Sequence, residues 1–201
     1  ALGYTMVMPM EDRYSISRNQ LLDQIAYAMG GRIAEEIVFK DPTTGASNDF
    51  EKATNIARTM VTKYGMSQKI GAISIGSGSS EPFLGRELAT NSAHSNEMAK
   101  QVDEEVSAIL DRALDEAYKA LTTNRVILDK LAKALLEKET LNQDEIAKIF
   151  KTVKKLPKRP TWRSSTKRTG ANKGPIAVPK RKVVQLETLP EKAEPAAEDA
   201  N

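Results

Sequence analysis

The run Thr43-Thr44-Gly45-Ala46-Ser47-Asn48-Asp49 closes a loop and opens a helix, and it brings an aspartate to the first helical turn. Free N–H groups and the helix macrodipole favour an anion there, which accounts for Asp49 without any further role. The same placement keeps a carboxylate ionised and rigid, the two properties a metal ligand needs. Upstream, Gly30-Gly31-Arg32-Ile33-Ala34-Glu35-Glu36 supplies two more carboxylates. Adjacent helical side chains point ~100° apart, so at most one of Glu35 and Glu36 faces a common site. Arg32 stands four residues before Glu36, within pairing reach. Other metal-binding side chains are scarce: there is one histidine, His94, and no cysteine. That excludes disulfides, thiolate metal sites and cysteine nucleophiles. A single copy of the chain cannot build a site that needs two histidines.

These residues need elements to position them. Residues 2–8 suit a strand that Pro9 ends, and its pairing partner must come from elsewhere, since a lone strand does not hold itself together. Ser17 with Gln20 predicts a capping box. Leu21, Leu22, Ile25, Ala28, Met29, Ile33, Ala34 and Ile37 then follow helical spacing. Gly30 and Gly31 cost that helix ~1 kcal/mol each relative to Ala, and close approach of another backbone is the natural compensation. Asp41 to Ala46 reads as a loop. Ser47 or Asn48 caps the next helix, which runs to about Tyr64 with Ala53, Ile56, Ala57, Met60 and Val61 on one face. Gly65 stands where a C′ glycine is expected. An irregular stretch comes next, with one short strand at Ala72–Ile75. Ser95 caps a long helix to about Leu121, striped by Val102, Val106, Ile109, Leu110, Ala113, Ala117 and Leu121. A second helix, about Arg125 to Lys138, carries Ile127, Leu128, Leu131, Ala134 and Leu135. Asn142 with Glu145 starts a third, and the short connections predict antiparallel packing. Residues 1–150 thus divide into a strand and Gly-Gly helix (1–40), an Asp-bearing helix (47–65), a loop region (66–93) and a helical bundle (94–150).

Charge separates this body from the C-terminal segment. Residues 151–201 hold 13 Lys/Arg against 5 Asp/Glu, a net of +8, which leaves −5 of the chain's +3 for residues 1–150. Six of the nine prolines also lie in 151–201, so this segment reads as a basic, Pro-rich, disordered tail. Its only aromatic residue is Trp162, which argues against nucleic-acid stacking and leaves an anionic lipid surface as the candidate partner. No stretch nears the ~18 apolar residues of a membrane span. Ala1 to Met8 lacks the basic start of a signal peptide, and a start at Ala1 fits a chain that continues upstream.

Ala1-Leu2-Gly3-Tyr4-Thr5, Gly30 through Glu36, Thr43 through Asp49, Met60-Val61, Gly65-Met66-Ser67, Phe83-Leu84-Gly85-Arg86, Asp103-Glu104-Glu105-Val106 and Glu139-Thr140-Leu141 come in one order. In that order and approximate spacing they resemble the peptidase domain of FtsH-type ATP-dependent zinc metalloproteases. Each motif is weak alone; together, in register over residues 1–150, they are specific. The resemblance implies a mainly α peptidase domain with one or two short N-terminal strands and a disordered C-terminal tail. It implies a His-Glu-x-x-His helix upstream, whose histidines bind zinc and whose glutamate is the base. Asp49 would then be the third protein ligand. Glu35 would orient one of the histidines from outside the ligand set, and Gly30–Gly31 would let the two helices approach. Gly3, Thr5 and Val7 would pair with the substrate backbone. The resemblance further implies ATP and magnesium in an upstream AAA+ module, a homo-hexamer with the 94–150 helices at its hub, and unfolded or membrane proteins as substrates. It implies a membrane anchor with the peptidase domain on the cytoplasmic face. The chain alone would be inactive. Two alternatives carry no proteolysis: an FtsH-like pseudoprotease acting in assembly, against which the retained Asp49 argues, and a helical interaction module with a basic arm, against which the unpaired strand argues.

Overall fold

The computed structural model describes residues 15–75 and 96–165, with Thr5, Lys167 and Ala177 besides. The chain divides into two units, Ala1–Thr169 and Gly170–Asn201, and the helices and the candidate site belong to the first. Five α-helices are present among the described residues: α1 Arg18–Phe39, α2 Ser47–Thr62, α3 Asn96–Thr123, α4 Arg125–Lys138 and α5 Gln143–Phe150, with a 3₁₀ turn at Thr44–Ala46. The mainly α class read from the sequence is therefore what the chain adopts.

Helix α1 starts where its capping box places it. The Gln20 N–H donates to Ser17 Oγ at 3.3 Å and the Ser17 N–H to Gln20 Oε1 at 2.8 Å. Asn142 and Glu145 form the same reciprocal pair at the start of α5, both bonds at 3.0 Å. Leu21, Ile25, Met29 and Ile33 recur every fourth residue and bury one face of α1. They meet Ala53, Ala57, Met60 and Val61 of α2 and Val102, Val106, Ile109, Ala113 and Ala117 of α3 in a single cluster. The alanines let the three helix axes come close, and α1, α2 and α3 pack mainly on one another. Beyond α2, Gly65 takes φ +58°, and a Cβ there would lie 3.0 Å from the Ala72 Cα. Both the left-handed backbone and the close approach require glycine at this turn.

Three expectations are corrected. Residues 72–75 form no strand: the only pairing among the described residues is an isolated bridge between Ser67 and Gly71, and the Ile75 N–H donates to Thr62 O at 2.7 Å instead. Helix α4 does not lie antiparallel along α3. It touches α3 only near their one-residue joint at Asn124, so of its expected stripe only Ile127 is buried, and Leu136 is 85% exposed. Nothing among the described residues lies within 4 Å of a Cβ built on Gly30 or Gly31, so that face of α1 has room for a further element. The tail is not disordered from residue 151. Residues 151–165 run back over the helices, where Lys154, Arg159 and Trp162 find specific partners on α1, α3 and the α3–α4 joint. The expected strand at 2–8, the cap at Ser95 and the remainder of the tail lie outside the described residues, Thr5, Lys167 and Ala177 aside.

Candidate functional site

Helix α1 delivers both the glycine pair and Glu35, and Glu35 holds the loop that leads to Asp49. The Thr43 N–H donates to Glu35 Oε2 at 3.0 Å and the Thr43 hydroxyl to Oε1 at 2.8 Å. Thr43 Oγ1 also accepts from the Gly45 N–H at 3.3 Å, capping the 3₁₀ turn. Ala46 at the end of that turn is buried and serves as the N-cap of α2. Neither Ser47 nor Asn48 caps α2, contrary to expectation; Ala46 makes no side-chain cap bond, and Asp49 is the acidic residue of the first turn. Arg32 forms no ion pair with Glu36. Its guanidinium lies over the Phe50 ring, 6.0 Å from the centroid.

The Thr43 hydrogen bonds hold the Glu35 carboxyl below its ordinary pKa, with a smaller push from Arg32. A depressed folded-state pKa stabilises the fold fully above the unfolded carboxylate value of ~4.3. The contribution is lost as the pH falls through the lower folded value. Protection of the Thr43 amide, the slowing of its exchange relative to that of an unstructured amide at the same pH, is therefore expected to fall on acidification through that window. Thr43→Val, which removes both the hydroxyl bond and the cap, is expected to cost about 1 kcal/mol at neutral pH in denaturant unfolding. Unchanged stability would show that the loop is held by other contacts.

Asp49 is half-buried. It borders an open cleft of about 1230 Å³ that is also lined by Gly30, Gly31 and Ala34 of α1, by Thr5, and by Leu156–Pro160. Asp49, the glycine pair and Thr5 are thus brought to one cleft. Glu35 contacts the loop behind Asp49, Gly3 and Val7 lie outside the described residues, and so does His94. Among the described residues no group of three His, Cys, Asp or Glu side chains could hold a metal ion. A hydrolytic zinc takes three protein ligands and a water. Asp49, rigid at a helix start and facing a cleft, suits one of the three; the described residues do not supply the set.

The sequence profile of Peptidase family M41 matches residues 1–149. The chain belongs to peptidase family M41. A protein named ATP-dependent zinc metalloprotease FtsH from Cutibacterium acnes (strain SK137) is 49% identical over 179 residues, 89% of this chain and 25% of the relative. One of the same name from Mycobacterium tuberculosis (strain ATCC 25618 / H37Rv) is 45% identical over 177 residues, 88% of this chain and 23% of the relative. ATP-dependent zinc metalloprotease FtsH 1 from Thermoanaerobacter sp. (strain X514) is 47% identical over 148 residues, 74% of this chain and 24% of the relative. This M41 chain thus spans about a quarter of the length of the curated relatives it matches. Alignments of 179 and 177 residues necessarily run past residue 150, into the segment that composition alone assigned to a disordered tail. The packing of residues 151–165 was the feature that sequence reasoning missed. Its one available signal was Trp162, a large apolar side chain misplaced in a solvated tail.

Proposed function

We propose that this chain is the C-terminal part of a membrane-anchored, ATP-dependent zinc metalloprotease that unfolds and degrades proteins. The observation that carries the proposal is the shared cleft of Asp49 and Gly30–Gly31. Two adjacent glycines on its wall offer a helix a close seat. A His-Glu-x-x-His helix from upstream would sit there, with Asp49 completing the ligands of a zinc ion. When bound, zinc supplies Lewis acidity and a water of lowered pKa. Glu35 keeps a lone pair on each oxygen beyond its bonds to Thr43, and so can orient a histidine ring. Thr5 borders the same cleft, which supports the reading that Gly3, Thr5 and Val7 pair with an unfolded substrate's backbone with little regard for its sequence.

ATP and magnesium belong to the upstream AAA+ module in this reading. Val126, Leu135, Leu136 and Phe150 leave apolar surface exposed on α4 and α5, as contacts in a homo-hexameric ring would require. No helix among the described residues is long and apolar enough to cross a membrane; the anchor would lie upstream, with the peptidase ring on the cytoplasmic face and the basic tail near anionic lipid. The test is degradation of a permanently unfolded protein by the full-length protein with ATP. A chelator is expected to abolish it and one equivalent of zinc to restore it, while this chain alone cleaves nothing. Intact ATP turnover with no degradation would instead favour the pseudoprotease.

A further inference from the structure

Helix α1 has a soft point at Gly30–Gly31, where two residues of high backbone freedom adjoin with no described neighbour within 4 Å of either missing Cβ. Beyond the buried face of Leu21, Ile25 and Met29, its N-terminal half is tied down by contacts from residues 153–163. Arg159 is the centre of them. Its Nε donates to both oxygens of Glu116 on α3, at 2.8 and 3.0 Å. Its Nη1 donates to Asp23 Oδ1 at 2.8 Å and to Asn19 O at 3.2 Å, both on α1. Its Nη2 bonds Glu116 as well. One planar guanidinium thus joins two carboxylates from two helices. Three residues on, the Trp162 ring lies under the Arg18 guanidinium, 5.2 Å away, and Arg163 O accepts from Gln68 in the loop after α2. At the near end, Lys154 N–H donates to Asn124 Oδ1 at 2.8 Å and Lys154 O accepts from Asn124 Nδ2 at 3.0 Å. Pro157 and Pro160 on either side of Arg159 restrict the backbone before it docks. Leu156, Pro157 and Pro160 border the same cleft as Asp49.

We propose that residues 153–163 are a strap belonging to the peptidase unit, and that Arg159 is a positioning residue that holds the N-terminal half of α1 against α3. The catalytic consequence rests on the protease reading. Without the strap, α1 pivots at its glycines and the cleft wall that Asn19, Asp23, Ala26 and Tyr27 form shifts. Asp23 and Glu116 then lose the guanidinium that joins them. A shift of about 1 Å in a reacting constellation can cost up to ~100-fold in rate.

The experiment uses the full-length protein with Arg159→Ala, Arg159→Lys, Glu116→Ala, the Arg159→Ala/Glu116→Ala double variant, and truncations after Phe150 and after Thr169. Peptide kcat and KM are measured, together with hydrogen exchange helix by helix. Arg159→Ala is expected to lower kcat about tenfold with KM within about twofold. Exchange should rise about tenfold in residues 18–30 and stay unchanged in α2. The double variant should be no slower than Arg159→Ala, and Arg159→Lys should recover little, because an ammonium cannot bridge two carboxylates as the guanidinium fork does. Truncation after Phe150 should reproduce Arg159→Ala; truncation after Thr169 should match the intact protein. The proposal is overturned if loss of residues 151 onward leaves both kcat and α1 exchange unchanged, or if exchange rises equally in every helix. If the wild-type protein hydrolyses nothing, the protease reading fails separately, and exchange in residues 18–30 still decides the strap.

Discussion

Asp49→Asn in the full-length protein is expected to reduce zinc-dependent peptide hydrolysis by at least ~100-fold, since even groups that only support a ligand cost 10–100-fold when removed. Such a loss corresponds to about 2.7 kcal/mol of transition-state stabilisation. The fold should scarcely notice. Asn keeps the side chain's volume, and the helix start loses only a favourable charge–dipole contact worth about 0.3–1 kcal/mol. The position of Asp49 in the first turn of α2 is set by the buried Ala46 and the Thr43–Glu35 anchor, none of which the substitution touches. Steady-state kinetics and thermal melting of the same preparation separate the two effects. Activity within tenfold of wild type would remove Asp49 from the ligand set.

Ile25→Ala is expected to be the most damaging single core substitution, costing about 3–5 kcal/mol, the upper part of the range for such truncations. Ile25 is fully buried in the cluster joining α1, α2 and α3. Among its cluster partners Ala53, Ala57, Ala113 and Ala117 have no side chain to swing into the space left behind. The cavity therefore closes only in part, and most of its cost remains. A fall of about 6–15 °C in the melting temperature of the peptidase unit is expected. A fall under about 3 °C would mean that the helices close up around the gap.

The parts of the fold legible in the sequence are those written locally. Ser17 with Gln20 and Asn142 with Glu145 mark helix starts through bonds three residues apart. The stripe Leu21, Ile25, Met29, Ile33 identifies the buried face of α1 because every fourth residue shares it. What escaped depends on distant partners or on competition. Ala72–Ile75 alternates as a strand should, yet no neighbouring strand among the described residues accepts it, and Thr62 O takes the Ile75 N–H. Helix α4 repeats the apolar spacing of α3 but meets too little of the chain to bury it. Residues 151–165 look like solvated chain by composition. Their order comes from Arg159, whose partners Asp23 and Glu116 lie 136 and 43 residues away, beyond any local pattern. Asp49 was found as a candidate ligand because short motifs keep its order and spacing; its cap was misassigned because Thr43 caps a 3₁₀ turn that local propensity did not reveal.

The most direct test of the account is zinc K-edge X-ray absorption on the full-length protein and its Asp49→Ala variant. The expected first shell in the wild type is two imidazole nitrogens with a carboxylate oxygen and water, at about 2.0–2.2 Å, and the variant should lose the carboxylate and hold zinc far more weakly. An identical first shell in both proteins would contradict the assignment of Asp49 and with it the place of this chain in the catalytic centre.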